Sequence, residues 1–194
     1  MPLLSSPAPG PARASALAAL GSPAAARAVT PALRVHPGPL APESPLPVHV
    51  MEGINEPDGP RVRLTGWRFL IRGGGRTVAA VETAHTPDGW VSSRFFGGPY
   101  LSSTEHALRQ ADALPVPHQP RLLSVPELYM LTLWLHGDTT ADPATGRPDP
   151  EDLLIPLAPA PPGIAAHRPH RVSDLLPVLT LRLGPVVPLA GSAA

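Results

Sequence analysis

The densest run of side chains able to do chemistry is FFGGPYLSSTEHALRQADAL, from Phe95 to Leu114. Within it Ser102, Ser103, Thr104, Glu105 and His106 set hydroxyls, a carboxylate and an imidazole side by side. Nucleophilic catalysis requires a hydroxyl within hydrogen-bond reach of a base that a third group orients. On a helix the residues that meet are three or four apart, so Ser102 or Ser103 could reach His106. The same letters also spell a helix start, because Ser102 followed three residues later by Glu105 has capping-box spacing. No G-x-S-x-G elbow runs from a strand into either serine. The expected reading is a capped helix, with Ser102, His106 and the more distant His85 kept as weak catalytic candidates.

Other patterns invite comparison with binding chemistry. RGGGR (Arg72 to Arg76) lacks the G-x-x-x-x-G-K-[ST] order of a phosphate loop and no helix follows it, so a hairpin turn is expected. His167 and His170 form H-x-x-H, but Pro169 between them argues against the helix on which such a pair would bind zinc. Asp138, Asp142, Asp149, Glu151 and Asp152 crowd one segment without the ligand order of an EF-hand. No metal and no cofactor is expected. Arg61, Arg63, Arg68, Arg72 and Arg76 occur with no acid between Arg61 and Val81, close to Trp67 and Phe69. Together with Trp90 and Tyr100 they make the candidate binding set. A basic strand with exposed aromatics would suit single-stranded nucleic acid, yet the alternation places the aromatics on the opposite face. That arrangement speaks against nucleic acid.

The elements that must hold these residues follow from proline. Of 30 prolines, 13 fall in residues 1–60, two in 61–114 and 15 in 115–194. Proline removes a ladder donor and breaks helix interiors, so regular structure should concentrate in 61–114. Residues 1–45 read as a Pro/Ala-rich, extended, mobile arm with at most a short turn such as Arg13–Leu20. Residues 46–185 read as one domain, and 186–194 as a loose tail. LPVHVME (Leu46 to Glu52) alternates enough to add an edge strand. RVRLTGWRFLIR is a strand whose parity switches, so a bulge is expected at Gly66. TVAAVETA and WVSSRFF complete a three-stranded meander, and a helix follows, capped at Ser102, ending before Pro115 and packing Ala107 to Leu114 on the sheet. LYMLTLWL is apolar on both faces and suits a central strand, with DLLIPLAP as its partner. SDLLPVLTLRLG opens with a Ser/Asp cap and is broken by Pro177. The expected fold is α+β: an antiparallel sheet of about five strands with one main helix packed on it.

Composition narrows function without naming it. Charges balance at 15 basic and 15 acidic residues, so no net field points to nucleic acid or an anionic membrane. Every basic residue is Arg, which together with abundant Ala, Pro and Gly is the codon signature of a GC-rich bacterial genome. Absence of cysteine removes thiolate chemistry and disulfides. No stretch has the ~18 consecutive apolar residues of a membrane span, and the N-terminus is a poor secretory signal, so a cytoplasmic location is expected. The leading expectation is a non-enzymatic accessory or binding module acting through protein–protein contacts or self-association. A small enzyme is the alternative, with a pocket between sheet and helix holding Trp67, Trp90, Tyr100, His106 and His85 and room for a small-molecule ligand. Nucleic-acid binding by the arginine face is the third.

Overall fold

The computed structural model describes residues 3–22, 25, 33 and 38–184. The proline-poor segment forms the expected meander: β2 (Arg61–Gly73), β3 (Arg76–Thr86) and β4 (Gly89–Phe96). β1 (Ala41–Glu52) pairs antiparallel with β2, and the register passes from His49 opposite Leu64 to Val48 opposite Gly66. Thr65 is therefore the extra residue of a bulge, one position from the expected site. Gly66 answers a second need, since a Cβ there would run into the carbonyl oxygen of Thr83 on β3. With the bulge in place, Trp67, Phe69 and Ile71 are all buried in one cluster.

Beyond β4 the chain forms α2 (Pro99–Asp112), which carries it back across the sheet to β5 (Gln119–Val125). β5 lies parallel to β1, with Val48 opposite Leu122, and a helical crossover is the usual way to make such a pair. β6 (Met130–His136), β7 (Leu153–Pro156) and β8 (His170–Arg171) extend the sheet antiparallel. The strand order is β4-β3-β2-β1-β5-β6-β7-β8. Helices α1 (Gly10–Leu20) and α3 (Val172–Leu183) also lie among the described residues.

Pairing fixes which residues share a face. Trp67 lies opposite Pro47 and Arg68 opposite Leu46, so these two β2 neighbours point to opposite sides. On one side Ala12, Ala16 and Ala19 of α1 pack on Trp67, Phe69 and Val81. There too, Leu175 and Leu179 of α3 pack on Leu123, Trp134 and Leu154. On the other side Ala107 and Ala111 of α2 pack on Leu46, Val48, Leu122 and Leu133. Alanines at these contacts let the helix backbones approach the sheet closely, which suits a chain with few aromatics.

Several expectations are corrected. Among the described residues the sheet is mixed and has eight strands rather than about five antiparallel ones, and three helices pack on it rather than one. β1 lies inside the sheet instead of at its edge, because β5 returns beside it. The described part of the N-terminal arm is not extended: α1 is an 11-residue helix with three buried alanines. Spacing of Ala12, Ala16 and Ala19 on one helical face outweighs the flanking prolines. Ser102 and Glu105 do not form a capping box, because α2 begins at Pro99 with Gly98 as its N-cap and no side-chain cap bond. Proline at the first helical position already supplies a start. Pro177 does not break α3 but lies inside it. The expected tail, 186–194, lies outside the described residues.

Candidate functional site

The face that carries α2 is only partly covered by it, and the uncovered part is a groove of about 420 Å³. Val48 and Val50 of β1, Thr65 of β2 and Ser124 of β5 form its floor. Tyr100, in the first turn of α2, forms one wall, and Tyr129 stands at another. Tyr129 follows the 3-10 turn Pro126–Leu128 with φ of 51°, a left-handed conformation that throws its ring outward until it is 89% exposed.

Charge enters the groove from β2, β3 and β4. Arg68 and Arg94 stand over the ring of Phe96, their guanidinium carbons 4.4 and 4.5 Å from its centroid. Glu82 is shared between them, with Oε2 3.5 Å from Arg68 Nη2 and 3.8 Å from Arg94 Nε. The Arg68 side chain is 7% exposed and the Arg94 side chain 69%. Burial lowers the pKa of Arg68, and Glu82 opposes that shift. Two cations thus face one anion around an aromatic plate. That assembly can hold an anionic or aromatic group by charge, guanidinium hydrogen bonds and ring contact.

A second polar cluster ties α2 to the segment after β7. Ser103 is 3% exposed, and its Oγ lies 2.6 Å from His167 Nε2 and accepts the Ala158 N–H at 2.7 Å. With one lone pair so occupied, the hydroxyl donates to a neutral His167. Burial first and the neighbouring His106 second lower the His167 pKa, which keeps that acceptor free. Gln110 Nε2 donates to the His167 carbonyl at 3.1 Å. The pair has the reach of a nucleophile and its base, but Ser103 lines none of the hollows described, and its contacts make it a latch.

A third network holds the acidic segment 137–152. Asp152 accepts Trp134 Nε1–H and His136 Nδ1–H at 2.7 Å and the Gly137 and Asp149 N–H groups at 2.9 Å. Arg121, fully buried, donates to Gln119 Oε1, Thr145 O and Asp142 O and stacks on Trp134. The segment is therefore pinned from beneath by a cation. Among the described residues no group of three or more His, Asp or Glu side chains is placed to hold a metal.

The residues singled out from sequence are dispersed. His106 is exposed and stacks on His167 with ring centroids 4.5 Å apart; it lines no part of the groove. His85 is exposed and meets half-buried Trp90 edge-on at 5.3 Å, on α1's side of the sheet. Trp67 is buried on that same side. The pocket expected from these residues does not assemble, and Tyr100 alone of its members lines the groove. Ser102 is exposed and donates to Pro99 O. Arg61 pairs with Glu56 at 2.6 Å and Arg63 with Glu52 at 3.1 Å. Arg72 bonds Thr77 and the Gly75 carbonyl and stands 3.9 Å from both Glu43 and Glu105. Arg76 is exposed at the hairpin. Only Arg68 of the five lines the groove.

Glu82, Arg94, Phe96 and Tyr129 were missed by sequence reasoning. One signal was available: Arg94 and Glu82 lie in neighbouring strands of a predicted meander, where opposite charges pair across a ladder. No helix among the described residues is long and apolar enough to cross a membrane. No family model, curated protein or solved structure matches this chain.

Proposed function

We propose that this chain is a non-enzymatic binding module that adds an extended segment of a partner protein to the free edge of β4. The observation that carries this reading is the edge itself. β4 is eight residues long and, among the described residues, ends the sheet and pairs on one side only, and Val91, Ser92, Ser93 and Arg94 are exposed along it. Such an edge offers a row of backbone donors and acceptors, which partners use by strand addition. The register to β3 skips Ser93, so the regular template is Gly89–Ser92. A bulge and a charge in mid-strand are devices that oppose pairing of two identical edges, and they favour a short heterologous segment over a second copy. Exposed Val91 supplies an apolar contact beside that segment.

The test is a photo-crosslinking residue at Ser92, compared with one at exposed Leu181 on α3, in extract from the native host. A single defined polypeptide joined to the Ser92 probe and not to the Leu181 probe supports the reading, and light scattering then gives a one-to-one complex. Identical adducts from both positions, or none from Ser92, sink it.

A further inference from the structure

We infer that the groove beside α2 is a binding site for a small organic carboxylate with an aromatic or apolar body, seated between Arg68 and Arg94 against Phe96. This goes beyond the reading of β4 as a docking edge and does not depend on it. A guanidinium carries five N–H donors, yet among the described residues that of buried Arg68 has a single hydrogen-bonding partner, Glu82, at 3.5 Å. Among the described residues, buried Arg68 Nε has no hydrogen-bond partner. A buried cation satisfied so poorly is costly, and a carboxylate is the acceptor whose geometry matches the guanidinium fork.

Charge count selects the anion. Arg68 and Arg94 bring two positive charges, and Glu82 returns one negative charge. The remaining single positive charge balances a monoanion and leaves a dianion such as phosphate in excess. α2 begins at the rim with Tyr100 and carries no side-chain cap, so its N-terminal dipole adds to the positive potential. The rest of the lining selects the body. The Phe96 ring, Val48 and Val50 give apolar walls, and about 420 Å³ admits a carboxylic acid of one ring rather than a long chain.

The experiment uses the full chain labelled with nitrogen-15 and titrated with phenylacetate, phenylacetamide and phenyl phosphate. Saturable binding of phenylacetate with Kd below about 1 mM, shifting the side-chain Nε–Hε signals of Arg68 and Arg94 together, is the expected result. The neutral amide should bind at least about tenfold more weakly, because a charge-assisted pair is lost. Arg94→Gln, at a side chain 69% exposed, should weaken phenylacetate roughly fivefold. Glu82→Gln should tighten it by a similar factor, with a urea midpoint reporting that the variant is folded. Equal affinity for acid and amide overturns the inference, as does tighter binding of phenyl phosphate. Shifts that bypass both arginines, or no saturation, overturn it too. Adduct formation at Ser92 is read separately, so either proposal can fall alone.

Discussion

Replacing Asp152 by Asn changes one atom and almost no volume, and it should cost about 3 kcal/mol. Asp152 Oδ2 accepts from Trp134 Nε1, His136 Nδ1 and the Asp149 N–H, and Oδ1 accepts from the Gly137 N–H. An amide keeps one acceptor oxygen. If its NH2 turns toward Gly137, one N–H donor is left facing another donor; if it turns the other way, three are. The better orientation still leaves a buried donor unmet, worth about 1–3 kcal/mol. The substitution also removes a charge that compensates Arg121, which is fully buried and, among the described residues, hydrogen-bonds to neutral oxygens. Burial lowers the Arg121 pKa, and Asp152 is the foremost group opposing that shift. A further ~1 kcal/mol for that loss is conservative. For a chain of this length ~3 kcal/mol corresponds to a melting temperature about 6–12 °C lower. Urea unfolding followed by tryptophan fluorescence reads it through Trp134, with exposed Glu151→Gln as control. A midpoint for Asp152→Asn indistinguishable from that control would refute the network argument.

Three further outcomes test the account elsewhere. Gly66→Ala should destabilise by about 1–3 kcal/mol, since the added Cβ meets the Thr83 carbonyl; an unchanged urea midpoint would show that the strands part freely there. His49, buried edge-on to Trp134 with neither ring nitrogen hydrogen-bonded among the described residues, has its pKa lowered to about 4 by burial, with Arg121 and His136 adding to the shift. Its native form is therefore neutral. Its stability contribution is complete above the unfolded value of 6.5, is lost as pH falls from there to about 4, and changes no further below, for a total of about 3 kcal/mol. His49→Leu should flatten that part of the stability–pH curve, and an unaltered slope would contradict the assignment. Ser103→Ala should cost about 1–2 kcal/mol by stranding the Ala158 N–H and His167 and should speed amide exchange across 157–167. Ser102→Ala, one residue away, should do neither, and equal effects would erase the distinction between latch and surface serine.

The meander, its bulge and the apolar β6 strand were legible because each is written in local alternation. Trp67, Phe69 and Ile71 announce a buried face, and only a slip near Gly66 reconciles them with Val62 and Leu64. α1 was hidden because its core-facing residues are alanines, whose periodicity is weak in an alanine-rich chain. The place of β1 inside the sheet was not legible either, since it depends on β5 returning beside it, a pairing between segments some 70 residues apart. The same reason hid the groove. Arg68 and Tyr100 were singled out for other reasons, yet what makes Arg68 notable is the convergence of Glu82, Arg94 and Phe96 from two further strands. Ser103 and His167 are 64 residues apart, and nothing local favours Ser103 over Ser102 except a helix that starts three residues before the expected cap.

Amide hydrogen exchange across β4 tests the central claim most directly. With the polypeptide captured at Ser92 added in excess, the exposed-edge amides of Gly89–Phe96 should exchange more slowly, while those of α3 stay as they are. Val91→Lys, which places a charge on the template, should abolish that protection without moving the urea midpoint. Protection that appears elsewhere and leaves β4 unchanged would contradict the account.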